Sequence, residues 1–244
     1  MNKKNINILD TFNKFDFLLK QCFNSIYALK EFDSLIKDNE INKRNNTLRK
    51  ISRHNDFWIM FEDSLWNTLF INIRAIFDKP DNKETINFLT FIEICKNEKF
   101  YEFELKELHN RNSKFLSEIE IKNYFSNKDF CPIEEQDFDN LNKLFLDYEE
   151  KIKIIKKLSS KIYAHATYNN LYQRNDFIQD KFKHISILDI EELLNIVSFC
   201  NNSILHIYWN GYHTHEKNNL HIKKLKVNSK IAKSLNEIIN NTKL

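Results

Sequence analysis

The chain has 244 residues, with one Gly, two Pro, 42% hydrophobic residues and a formal net charge of +3. A single glycine excludes phosphate-cradling and dinucleotide loops and the glycine-flanked serine elbow, since each needs several residues whose backbone turns sharply or approaches a ligand closely. So few turn residues also exclude a sheet-rich fold, and +3 is too little charge for a chain that coats nucleic acid over its whole surface.

Four cysteines, Cys22, Cys95, Cys131 and Cys200, lie far apart with no Cys-x-x-Cys pair. They read as buried thiols in a reducing compartment. No stretch approaches the roughly 18 apolar residues of a membrane helix. A cytoplasmic protein without membrane contact is the expectation.

Apolar residues recur at helical steps along nearly the whole chain. From Thr11 to Asp38 the stripe is Phe12, Phe15, Leu19, Cys22, Ile26, Leu29, Phe32 and Ile36, at steps of three and four. From Asn55 to Phe77 the stripe is Trp58, Phe61, Leu65, Leu69, Ile73 and Ile76. Ile59, Trp66, Phe70 and Phe77 widen it, which predicts a central helix that Pro80 ends. Asp81-x-x-Glu84 predicts a capped start for a shorter helix through Phe88, Phe91, Ile92 and Cys95. Residues 97–131 read as an insertion of short helices and loops. Pro132, Glu134, Glu135 and Asp137 start another helix, whose dipole favours acids there. Its stripe of Phe138, Leu141, Phe145, Tyr148, Ile152 and Ile155 predicts one continuous helix running on through 159–167.

Residues 168–184 are a polar loop. Ser186-x-x-Asp189 caps a long helix bearing Leu193, Val197, Cys200, Ile204 and Ile207, and Gly211 suits its C-terminal cap. A last amphipathic helix is predicted over 227–239. The sum is an all-α bundle of about four or five main helices in one domain. Its core is about 55–209, with a helical extension over 1–54 and a C-terminal helix within 212–244.

The most informative segment is Lys157-Leu158-Ser159-Ser160-Lys161-Ile162-Tyr163-Ala164-His165-Ala166. It sets a lysine and a histidine four residues apart on one helix face. Together with the tryptophan-bearing helix ending Ile73-Arg74-Ala75-Ile76-Phe77-Asp78, and the capped helix after it, this order resembles the abortive-infection U-type HEPN family of phage-defence proteins. The resemblance covers roughly Asn55 to Tyr208.

The resemblance implies a homodimer whose motifs meet, and RNA as the ligand. It also implies metal-independent RNA cleavage by an Arg and a His with four to six residues between them. The His would move the proton at the ribose 2′-hydroxyl or leaving oxygen, and the Arg would grip the phosphate. Here the positions open to that Arg are Leu158, Ser159 and Ser160, and none is Arg. His165 aligns as acid/base. Lys161 or Arg74 would supply the positive charge, Lys161 as a point charge without the bidentate fork. Lys157, Ser159, Ser160, Tyr163 and Asp78 would border the RNA. No metal or cofactor is expected.

The lost Arg also fits a second role, a non-catalytic scaffold, sensor or antitoxin-like subunit working with a separate effector. Bland roles stand beside these. His165 can bond a helix-end carbonyl, Arg74 and Asp78 can form an i,i+4 ion pair, and Ser159 can be the small residue of a close helix crossing. His213, His215 and His221 fit a surface loop better than a metal site. Basic clusters at Lys43–Arg53, Lys151–Lys157 and Lys223–Lys233 can contact phosphate or simply face water. The middle one stands out because it leads into His165.

Overall fold

The structure, a computed structural model, describes residues 7–37, 41–78, 86–99, 134–159 and 185–210, with the isolated positions 110, 117 and 119. Among the described residues the chain is α-helical, with one 3₁₀ turn and no strand. The all-α expectation holds.

Helix α1 is Ile8–Ile36. The Asn7 side chain caps it, accepting from the backbone N–H of Leu9 at 3.1 Å and of Asp10 at 3.3 Å. Its stripe from Phe12 to Phe32 is buried throughout. Helix α2, Ile41–Arg53, is polar on most sides. Thr47 is buried, and Ile51 packs on the cluster of Ala28, Phe32, Leu35 and Trp58.

His54 alone separates α2 from α3, Asn55–Phe77. Trp58 of α3 stacks on Phe32, with ring centroids 5.4 Å apart. Leu69, Phe70, Ile73, Ile76 and Phe77 are buried. The first half of α3 is less enclosed than the stripe suggests. Ile59 is 51% exposed, because among the described residues α1 and α2 meet this end on the Trp58 side. Trp66 is half-buried and stacks on Phe70.

Helix α4, Phe88–Asn97, is capped by Asn87, whose side chain accepts from the Thr90 N–H at 2.7 Å. Asp81 and Glu84, expected to cap it, lie outside the described residues, and the helix begins later than they imply. Helix α5 is Glu135–Lys143, and the Asp137 carboxylate accepts from the Glu134 N–H at 3.0 Å, as its acid-rich start predicts.

The continuous helix expected beyond it is broken. Leu144, Phe145 and Tyr148 turn their N–H groups to carbonyls three residues back. The tighter coil leads through the 3₁₀ turn Leu146–Tyr148 into α6, Glu149–Ser159. Helix α7 is Ile187–Asn210. Its cap is reciprocal: the Ser186 Oγ accepts from the Asp189 N–H at 3.1 Å, and the Asp189 carboxylate accepts from the Ser186 N–H at 2.8 Å. Pro80, Pro132, Gly211 and the predicted helix over 227–239 lie outside the described residues.

The chain divides into two compact units. One comprises Met1–Asp16, Lys79–Glu149 and Asn195–Ile222, and the other Phe17–Asp78, Glu150–Leu194 and Lys223–Leu244. In the first, Phe15 meets Phe88 edge-on at 5.0 Å, and Phe91, Phe138 and Cys95 fill out the core. Lys96 of α4 bonds Asp139 of α5 at 2.6 Å. In the second unit the core lies between α1, α3, α6 and the first turns of α7, with Leu29, Ile73, Ile155, Leu158 and Leu193 all buried.

Candidate functional site

The site centres on α6, because the Lys161–His165 motif follows its last residue. Ile152, Ile155 and Leu158 are buried along its inner face, and Ser159 closes it at 1% exposure. The Ser159 hydroxyl lies 2.8 Å from the carbonyl of Ile155 and 3.2 Å from that of Phe70 on α3, and its single proton is shared between them. A serine here lets two helix backbones approach closely.

Three residues earlier, Lys156 reaches the other end of α3. Its Nζ donates to the Phe77 carbonyl at 3.3 Å and stands 3.5 Å from the Asp78 carboxylate. As numbers rise along α6 they fall along α3, so the two helices run antiparallel. Arg74 and Asp78 form the i,i+4 pair that their spacing suggests, through Nε and Oδ2. Asp78 therefore receives two cations at the C-terminal end of α3, where the helix dipole itself favours positive charge. Arg74 belongs to the packing partner of α6, level with Lys156. Lys157 points outward, exposed, with no partner among the described residues.

The start of α7 is fastened to the first turn of α6. Lys151 bonds Asp189 at 2.6 Å. That bond, and the Ser186 N–H and hydroxyl, hold the Asp189 carboxyl at about 2, below its ordinary range. Beside it Lys30 of α1 pairs with Glu191. Burial, and then the negative charge of Glu191, raise the Tyr27 phenol.

His165, Lys161, Ser160 and Tyr163 lie outside the described residues, as do His213, His215 and His221. Of the three positions open to the family's Arg, Leu158 and Ser159 are buried. An Arg at either would enter a helix contact. The sequence reading missed Lys156 and the Lys151–Asp189 bond. Both lysines sat in a recognised basic cluster, but partners 78 and 38 residues away leave no local signal.

Cys22, Cys95 and Cys200 are buried, which pushes their thiols up and leaves them unreactive. Among the described residues no group of three or more His, Cys, Asp or Glu could hold a metal ion. Among them no helix is long and apolar enough to cross a membrane.

No curated protein and no solved structure matches the chain. The family model for AbiU2, a HEPN family, matches residues 11–227, taking in most of α1 as well as the span from Asn55 to Tyr208 that carries the resemblance. With a helical frame that packs α6, the helix preceding the motif, against the tryptophan-bearing α3, and a family match over most of its length, the chain belongs to the AbiU2 family and is a HEPN-like abortive-infection protein.

Proposed function

We propose that this protein binds RNA in phage defence and cleaves it at the segment following α6. His165 moves the proton and Lys161 meets the phosphate. The supporting observation is the state of α6 itself. Ser159 and Lys156 fasten it to α3, Lys151 fastens it to α7, and Lys157 stays exposed on the turn that leads to Lys161 and His165. A rigid helix presenting an exposed cation suits the entry to a phosphate site. Arg74 contributes charge from the α3 side, shared with Asp78. Two copies of the chain, as in the resembled family, would bring their motifs together.

The test is incubation of wild type and His165→Ala with total RNA in the presence of EDTA. General acid–base catalysis by one side chain contributes about 10²–10⁴-fold. The variant should cleave at least about 100-fold more slowly. Equal cleavage by both removes His165 from the mechanism, and loss of wild-type cleavage in EDTA removes the metal-independent route.

A second reading has its own observation. Leu158 and Ser159 are committed to the helix contact, so the lost Arg is not a one-residue change away there. That favours a non-catalytic subunit serving a separate effector. Wild type that binds RNA without cleaving it would support this reading.

A further inference from the structure

Helix α2 contributes little to the core. Among its described side chains Thr47 alone is buried, with Ile51 packed on the Trp58 cluster, and a helix so polar gains little from packing. Yet between Ile41 and Asn55 it carries Lys43, Arg44, Arg49, Lys50 and Arg53 and no carboxylate, Asp56 being the next acid. Arg44, Arg49 and Arg53 are exposed, and none has an acidic partner among the described residues. Arg49 and Arg53 stand one turn apart on the same face, with Asn45 and Ser52 exposed beside them.

Past His54, itself exposed, the first turns of α3 also expose side chains. There Phe57 is 52% exposed and Met60 71% exposed. Phe57 is not loose. It meets Trp58 edge-on at 5.1 Å and stacks on Phe61 at 6.4 Å, so its outer face is held in place. Guanidinium groups without an acidic partner among the described residues and, four residues after Arg53, a fixed, exposed aromatic ring are the two parts of a single-strand site: cations for the backbone and a ring on which a base can stack.

We infer that the α2–α3 corner is a docking surface for single-stranded RNA, with Arg49 and Arg53 on phosphates and Phe57 under a base. It is separate from the motif, and its choice of ligand rests on the reading that RNA is what the protein acts on. Charge decides the occupant: the exposed Arg44, Arg49 and Arg53 outweigh the neighbouring Asp56, so the corner repels a basic partner and suits a polyanion, and the exposed ring favours unpaired bases over a duplex.

The experiment is fluorescence anisotropy of a labelled single-stranded RNA 20-mer, and of the same sequence as a duplex, with full-length protein across a salt series. Wild type, the double variant Arg49→Gln/Arg53→Gln and Phe57→Ala are compared. Each phosphate contact on a single strand adds about 0.7 to the slope of log affinity against log salt. The double variant should therefore lose about 1.4 from that slope and bind at least tenfold more weakly at low salt. Phe57→Ala should weaken single-strand binding about tenfold and leave duplex binding unchanged.

Unchanged affinity and slope in the double variant overturns the inference. So does a Phe57→Ala protein that binds RNA normally but changes its oligomeric state on sizing, since the corner would then be a protein interface. Absence of cleavage by wild type, with these binding losses intact, overturns the catalytic reading and leaves the docking surface standing. Wild-type cleavage that neither corner variant affects does the reverse. All the substituted corner residues are exposed, so circular dichroism should match wild type and melting temperatures should stay within a few degrees of it.

Discussion

Two helices of this protein are strongly basic, and they use their charge in opposite ways. On α6, Lys151 bonds Asp189, Lys153 bonds Glu150 and Lys156 stands against Asp78 and the Phe77 carbonyl, which leaves Lys157 exposed and without a partner among the described residues. On α2, Arg44, Arg49 and Arg53 meet no acid among the described residues. A count of basic residues ranks the two alike, and proximity to His165 favours α6. Partnership separates them. Lys151 and Lys156 hold α6 to its neighbours, whereas the α2 arginines have no acidic partner among the described residues.

The sharpest way to break this contrast is to exchange the two environments. Ser159→Arg puts a long cation into a site of 1% exposure, where Phe70 and Ile155 supply only carbonyls. Overpacking and an unpaired buried charge together should cost more than about 3 kcal/mol, enough to prevent soluble expression or to collapse the urea midpoint. If Ser159→Arg folds normally and gains RNA cleavage, the helix contact is looser than its geometry says, and the motif Arg can be restored there.

A smaller effect tests the α6 clamp through pH. The Asp189 carboxyl titrates at about 2, below the ordinary value of 3.8, because Lys151 and the Ser186 cap favour its charged form. A depressed carboxyl stabilises the fold above its unfolded value and loses that contribution as pH falls from about 4 towards 2. The bond is open to solvent on one side, so screening reduces the contribution to about 1 kcal/mol. Urea midpoints taken between pH 6 and pH 2 should show wild type converging on Asp189→Asn at the acid end. A constant gap between the two proteins would mean that the Lys151 bond does not govern this carboxyl.

The sequence carries the frame well where side chains repeat against one neighbour. The α1 stripe from Phe12 to Phe32 is buried as its spacing predicts, and the Ser186–Asp189 cap is present. It fails where period and backbone part company. Phe138, Leu141, Phe145, Tyr148, Ile152 and Ile155 keep steps of three and four straight through the 3₁₀ turn, because a short tightened turn barely disturbs which residues face inward. Ile59 looks like part of a wide apolar face, but among the described residues α1 and α2 cover the Trp58 side of that end. The site is legible at Arg74 and Asp78, a local i,i+4 pair, and at Ser159, in phase with the α6 seam. Lys156 against Asp78 is illegible, since nothing in a local pattern brings residue 156 to residue 78.

The mildest substitution has the clearest sign. Arg49 and Arg53 are like charges one turn apart, a pairing that destabilises a helix by about 0.2–0.5 kcal/mol when neither has a counter-charge. Arg49→Gln should therefore stabilise the protein by a few tenths of a kcal/mol at low salt, a rise of about 1 °C in melting temperature for a chain of this size. The gain should vanish at high salt, because repulsion between exposed charges is screened. On α6 the same kind of change, Lys156→Gln, should lower the melting temperature, since that lysine meets both a carboxylate and a helix-end carbonyl. Opposite signs from two basic helices are what partnership predicts and what charge counting does not. If Arg49→Gln instead destabilises by 1 kcal/mol or more, Arg49 has a structural partner after all, and α2 becomes a second α6.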